Sequence, residues 1–357
     1  MAPMPPMLQE RCFATAGMLA HVVASKYADH MPLYRQEQIL QRRYGIPLSR
    51  QTLDGWVMLT AEWMRPIYEE IRKSVLEGGY IQVDETPIRF LEPGNGKARQ
   101  GCFWTASQPG RGTFYGWHAG RGSDGLEKVP PAKYEGIIQC DGYAVYGAYA
   151  REKPIELAGC WAHARRKFFE AKDQDWRMVW VLRQIGHLYR IERRLREIRA
   201  GPDLREAIRQ GQAPPILKRI RHMLEHWKKS RRFPPRSGAG KAMEYALKLW
   251  PQLEAYLKDG RIEIDNNHVE NAIRPTALGK KNWLFIGAEE AGQSSAILYT
   301  IIEECRRLGL NPQIYLTEAL KRLPTATNRT VHKLTPAALS PMLDATPNTG
   351  VVLSKAA

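Results

Sequence analysis

The hydrophobic period of the chain changes twice, and a fold built from one kind of element cannot satisfy both changes. From Gly17 to about Leu76 apolar residues recur at helical spacing. From Gly78 the runs "GGYIQVDETPIRF", "GCFWTASQ", "GTFYGWHAG", "GIIQCDGYAVY" and "IELAGCW" are short, β-branched and aromatic, separated by Gly, Pro and Asn. That is strand and hairpin grammar, with "SDGLEKV" as one short helix between the third and fourth runs. Helical spacing then returns in Met178, Leu182, Ile185, Leu188, Leu195 and Ile198, and again in Leu217, Ile220, Leu224 and Trp227. Three strands, a helix and further strands, framed by helices, predict an α/β protein with a mixed sheet.

Smaller signals mark the joints. "RRFPPRSGAGK" reads as a linker, and Pro251 must kink or break the helix begun by Met243, Ala246, Leu247 and Trp250. A later amphipathic helix ends at Gly309, and Asn311 with Pro312 opens the next. Residues 1–7 read as a loose tail, and the Thr, Pro and Ala beyond Pro324 predict a poorly ordered one.

Within the first helical region, "YRQEQILQRRYGIPLSRQTLDGWV" has helix–turn–helix character: a helix to Arg43, a turn over residues 44–47, and Ser49 as N-cap. Leu53, Trp56 and Val57 would be buried, leaving Arg50, Gln51 and Asp54 outward, as a DNA-reading helix requires. A plain helical hairpin fits the same pattern.

Charge narrows the partners. The 357 residues carry 53 Lys and Arg against 37 Asp and Glu, a net +16. Residues 151–236 alone hold 23 basic and 10 acidic residues, which is +13 of that total. Such concentration favours a polyanion, most simply the phosphates of nucleic acid. Five cysteines without C-x-x-C pairing point to a reduced cytosolic protein, and no apolar run reaches the ~18–20 residues of a membrane span.

Two aspartates sit oddly. Asp84 in "YIQVDET" and Asp141 in "GIIQCDGY" each follow an apolar strand, where a carboxylate is expensive to desolvate. In "RIEIDNNHVENAIRPTALGKKNW", Asn267, Glu270, Asn271 and Arg274 fall on one helix face, with Asp265 read as the N-cap. Two strand-end aspartates and a helical glutamate would repel one another unless cations neutralise them. Hard divalent ions such as Mg²⁺ suit carboxylate oxygens, and a pair of them can drive in-line phosphoryl transfer. Cys160 and His163 form C-x-x-H after the last strand, with no second pair spaced for a structural zinc centre. They read as active-site or DNA-strand support, or as a packed pair at a strand–helix junction. Arg165, Arg166 and Lys167 could reach phosphates, as could Lys280 and Lys281, with Asn282 beside them. Trp283 reads either as a core aromatic or as a base-stacking one.

"VDET", "CDGY", "GCWAHARRKF" and "DNNHVENAIRP…GKKNWLFIGAEEAG", in that order, resemble the insertion-sequence-66 family of bacterial DDE transposases over about residues 13–323. The resemblance implies an RNase H-like catalytic core interrupted by an all-helical insertion. It makes Asp84, Asp141 and Glu270 the catalytic, metal-binding triad for Mg²⁺ or Mn²⁺, two ions together, with Asn267, Asn271 and Arg274 in support. The 128 residues between Asp141 and Glu270 leave room for that insertion. The expected division is an N-terminal helical region over 1–76, core over 77–164 and 259–308, a basic insertion over 165–258, and a C-terminal helix and tail over 309–357. Implied partners are the element's terminal inverted repeats, target DNA, further copies of the chain on DNA, and accessory proteins of the element. Localisation would be cytoplasmic, at the bacterial nucleoid. The family pattern adds a cysteine-rich N-terminal segment, whereas this chain has only Cys12 there, so an N-terminally truncated product is expected. Other readings are an inactive remnant acting as a DNA-binding regulator and a structure-directed nuclease of the same fold. A glycosidase could also pair carboxylates, but the basic segment gives it little support.

Overall fold

The computed structural model describes residues 12–344, apart from 93, 95, 96, 131–133 and 152. Three helices precede the sheet, and their ends follow local chemistry. The Thr15 side chain accepts the Met18 N–H to cap α1 (Ala16–Tyr27). Next, α2 (Leu33–Tyr44) stops at Gly45, whose φ of 67° suits a residue without Cβ. Ser49 caps α3 (Arg50–Leu76) by accepting the Thr52 N–H at 3.2 Å. Leu53, Trp56 and Val57 are buried, while Arg50, Gln51 and Asp54 stay exposed. The turn and cap therefore form as expected, but the second helix runs on for 27 residues and carries the chain to the sheet.

Among the described residues, six strands make one mixed sheet. β1 (Tyr80–Phe90), β2 (Arg99–Gln108) and β3 (Gly112–His118) form an antiparallel meander. After the short helix α4 (Ser123–Leu126), β4 (Gly136–Gln139) pairs parallel with β1; α5 (Ala144–Ala150) then leads to β5 (Ile155–Ala158), parallel to β4. The strand order is β3-β2-β1-β4-β5. Gly136, at φ 140°, lies so close to Gly79 that a Cβ would stand 2.3 Å from the Gly79 carbonyl oxygen.

Six helices follow: α6 (Trp161–Glu170), α7 (Trp176–Glu197), α8 (Pro202–Gln212), α9 (Pro214–Lys229), α10 (Gly238–Lys248) and α11 (Trp250–Glu254). They enclose a core of their own, in which Trp161 and Trp250 meet edge to face at 5.8 Å. The expected start at 165 falls inside α6. Ile198, expected in the buried stripe, is 53% exposed because α7 ends at Glu197. The expected linker shrinks to residues 231–236, since the Ser237 side chain accepts the Gly240 N–H and starts α10 within "GAGK". Pro251 separates α10 from α11, as its missing N–H requires.

The chain returns to the sheet through α12 (Asn267–Trp283) and the two-residue strand β6 (Phe285–Ile286), which pairs with the far end of β1. α13 (Glu289–Arg307) packs on α3 and β3, and α14 (Pro312–Arg322) on α1. Order does not stop at Pro324. A 3₁₀ turn over Val331–Leu334 and α15 (Pro336–Asp344) bury Val331, Leu334 and Leu339, and the Tyr315 hydroxyl donates to the Leu334 carbonyl at 2.7 Å. The expected tail is thus corrected to Asp344; its remainder and residues 1–7 lie outside the described residues. Among the described residues, no helix is long and apolar enough to cross a membrane.

Candidate active site

Register brings the two aspartates together. In the parallel pair Tyr80 faces Ile137, Ile81 faces Ile138 and Gln82 faces Gln139. The pairing ends there, two residues before Asp84 on one chain and two before Asp141 on the other, and the Asp141 charge acts on Asp84. Asp141 lies beyond its strand as expected. Asp84 does not: it sits in mid-strand opposite Thr105, because β2 continues the ladder to Phe90. On its other side β1 has no strand partner between Gln82 and Arg89, where β6 joins.

Glu270 arrives from α12, and a buried polar cluster fixes how that helix begins. The Gln82 side chain accepts the Val269 N–H at 3.2 Å and donates to the Asp265 carbonyl at 2.9 Å. Gln139 donates to the carbonyls of Glu263 (2.8 Å) and Gly159 (3.0 Å). The Tyr80 hydroxyl donates to Gln139 Oε1 at 2.6 Å and accepts the Glu263 N–H at 3.1 Å. Gln82 and Gln139 are fully buried and bonded to each other at 3.0 Å. Each glutamine stands two residues before an aspartate; Gln82 also grips the residue preceding Glu270, and Gln139 grips Glu263 in the approach to α12. Sequence reasoning missed them, although the repeat Gln-x-Asp in "IQVD" and "IQCD" was legible.

The three carboxylates act on one another electrostatically. Burial pushes the Asp84 carboxyl up to about 7, and the charges of Glu85, Asp141 and Glu270 push it the same way, against the Glu85 N–H donated at 2.9 Å. Glu270 Oε1 is buried without a hydrogen-bond partner. Asp141 accepts the Tyr143 N–H at 2.8 Å. An all-oxygen donor set of this kind fits Mg²⁺ or Mn²⁺. Glu85, also missed from sequence, turns away from Asp84; Arg121 at 2.6 Å and the Tyr146 hydroxyl at 2.7 Å hold its buried carboxylate.

On the other side of Glu270 stands α6. Its Oε1 lies 3.5 Å from His163 Nδ1, and its Oε2 lies 3.8 Å from Arg166 Nη2. Ligand atoms of Cys160, His163 and Glu270 all lie within 4.8 Å of one another. Cys160 is buried, which pushes its thiol up to about 12, and its sulfur accepts the Asn266 N–H at 3.5 Å. Asn266 is the helix cap residue, in place of the expected Asp265. Asp265 instead accepts the Asn267 N–H at 3.2 Å from one position earlier, and burial raises its carboxyl despite that bond and the Tyr189 hydroxyl.

The remaining expected residues divide. Asn267 is exposed at the start of α12. Asn271 and Arg274 line a cavity of about 780 Å³ with Tyr27, Tyr115, Tyr299 and Arg306, one that Glu270 does not line. Lys280 donates to the Pro87 carbonyl at 2.8 Å and is anchored to β1, while Lys281 is exposed. Trp283 takes the core reading, packed at the main core's edge with Lys26 Nζ 4.4 Å from its ring centroid. Arg165 and Lys167 are exposed, over Phe169 and Tyr245 respectively.

A second buried cluster braces the approach to α12 from the helical layer. Arg209, fully buried, makes a two-pronged pair with Glu192 at 2.8 and 2.7 Å, and its third nitrogen donates to the carbonyls of Tyr256 and Ile262, both at 2.9 Å.

Fold and site together define a mixed α/β protein in which the charges of Asp141 and Glu270 act on the buried Asp84. The chain belongs to the Transposase IS66 family, whose model matches residues 11–294. Two proteins of Sinorhizobium fredii (strain NBRC 101917 / NGR234) are similar to it, the uncharacterized proteins y4jD and y4qI. They are 32% and 35% identical over 341 and 337 residues, covering 90% and 89% of this chain. The chain spans 65% and 61% of their own lengths.

Proposed function

We propose that the chain carries the catalytic part of a DNA transposase, with Asp84, Asp141 and Glu270 as the metal-binding triad. The observation that carries this reading is the parallel pairing of β1 with β4, which ends two residues before both Asp84 and Asp141, together with the bond from Gln82 to the residue preceding Glu270. The antiparallel meander followed by parallel strands supports an RNase H-like core, and the six helices α6 to α11 between β5 and α12 support an insertion within it. Bound at these carboxylates, two Mg²⁺ or Mn²⁺ ions would activate the attacking oxygen and stabilise the leaving one. The protein's own work is to fix the three carboxylates and to hold the DNA backbone. Arg165, Lys167 and Lys281 are exposed cations available for phosphates, as is the Arg50–Gln51 end of α3. Partners in this reading are the element's ends, target DNA, a second copy of the chain and accessory proteins of the element.

The test is a supercoiled plasmid bearing the element's ends, incubated with Mg²⁺ or Mn²⁺. Wild type should nick at the ends and give joined products, and Glu270→Gln should bind DNA yet nick at least about 100-fold more slowly, on the scale lost with a group that stabilises the transition state directly. Binding without nicks in either metal would instead assign the chain to DNA-binding regulation.

A further inference from the structure

Glu270 faces two different sets of ligands, and the second set is not one that Mg²⁺ prefers. Toward β1 and β4 its companions are carboxylates. Toward α6 they are a thiol and an imidazole. Thiolate and imidazole select borderline or soft ions, whereas carboxylate and water suit Mg²⁺ and Mn²⁺.

We propose that Cys160, His163 and Glu270 form a site for a zinc-class divalent cation, and that Glu270 serves either this site or the carboxylate triad, not both at once. The first support is distance. With metal–nitrogen and metal–oxygen bonds near 2.0–2.1 Å, two ligands on a tetrahedral edge stand about 3.3 Å apart. His163 Nδ1 and Glu270 Oε1 stand 3.5 Å apart. A thiolate bonded at about 2.3 Å would lie about 3.6 Å from either neighbour, and the three ligand atoms already lie within 4.8 Å.

The second support is unsatisfied polarity. Buried polar atoms are ordinarily hydrogen-bonded. Here His163 Nδ1 and Glu270 Oε1 face each other, buried and without a hydrogen-bond partner, and so do both amide atoms of the fully buried Asn266 beside Cys160 lack one. The Cys160 sulfur, for its part, accepts the Asn266 N–H at 3.5 Å.

Binding would form metal–sulfur, metal–nitrogen and metal–oxygen bonds, and the thiol proton would leave to solvent. Three protein ligands leave a fourth position open, unlike the closed four-ligand centre of a structural zinc. A cation here would draw Glu270 away from Asp84 and Asp141. Only that consequence rests on the transposase reading; the site itself does not.

The experiment is a titration of the metal-free, full-length chain with Co²⁺, reading sulfur-to-cobalt charge-transfer absorption in the near ultraviolet, followed by displacement with Zn²⁺. One equivalent should develop the band in wild type, in Asp84→Asn and in Cys140→Ser, and Zn²⁺ should abolish it. Cys160→Ser should lack it. His163→Ala should bind Co²⁺ more than about 100-fold more weakly, beyond the 10–100-fold that loss of an outer partner costs. A wild type without the band, a band persisting in Cys160→Ser, or one lost in Cys140→Ser would overturn the assignment. Should Cys160→Ser lose its far-ultraviolet helical signal, the His163→Ala affinity decides alone, and unchanged affinity overturns the site. Failure of DNA nicking would leave this spectrum untouched, so the two readings fail separately.

Discussion

Two buried polar clusters hold the same stretch of chain, residues 256–269, and they do it with opposite chemistry. From the sheet, Gln82, Gln139 and Tyr80 grip it through neutral amides and a hydroxyl. From the helical layer, Arg209 and Glu192 grip it through a fully buried ion pair that spends its spare nitrogen on backbone carbonyls. An ion pair gains most from low dielectric but leaves a costly orphan if one partner goes, whereas a neutral cluster degrades in smaller steps. The difference teaches which support each layer can lose.

The sharpest break comes from the ionic side. Arg209→Ala should cost about 3–5 kcal/mol in denaturant unfolding, because Glu192 stays buried with only Arg205 at 3.4 Å. The double change Arg209→Met with Glu192→Leu should recover much of that. A double variant no better than the single one would show that the carbonyl contacts, not the charges, dominate.

The carboxylates beyond the neutral cluster supply the next largest effect. Burial raises the folded pKa of Asp84 from the ordinary carboxyl value of 3.8 to about 7. The folded state therefore holds a proton that the unfolded state has released, and stability falls as pH rises from about 4 to about 7. The penalty is bounded by about 4 kcal/mol, and Asp84→Asn should flatten this slope in metal-free buffer. An unchanged slope would place the titration elsewhere.

Gln82→Ala should cost about 1–3 kcal/mol, since it strands the Val269 N–H and the Asp265 carbonyl. If the neutral cluster aims Glu270, nicking should fall further than stability alone explains while DNA binding holds. Tyr80→Phe, which removes one hydroxyl from the same cluster, should cost about 1 kcal/mol by thermal melting.

What could be read from sequence was what depends on neighbours in the chain. Strands, caps and breaks follow from period, Ser49, Asn311 and Pro251, and each stands where the residues place it. Asp84, Asp141 and Glu270 drew attention in the sequence because a carboxylate in or beside an apolar element calls for an explanation. Arg209 was not, because nothing distinguishes it among the 23 basic residues of its segment until packing buries it. Helical spacing put Asn271 and Arg274 with Glu270, yet a face that wide can border two spaces, and α12 borders two. The C-terminal stretch misled through composition: Thr and Pro suggested disorder, while Val331, Leu334 and Leu339 supply the apolar residues that dock it.

Gln82 and Gln139 have one further consequence. An amide neither gains nor loses a proton across the pH range of living cells, and it binds cations weakly. The frame behind these carboxylates thus takes no part in their changes of charge. Whatever ion enters or leaves beside Asp84, and whatever proton goes with it, the ruler stays the same length.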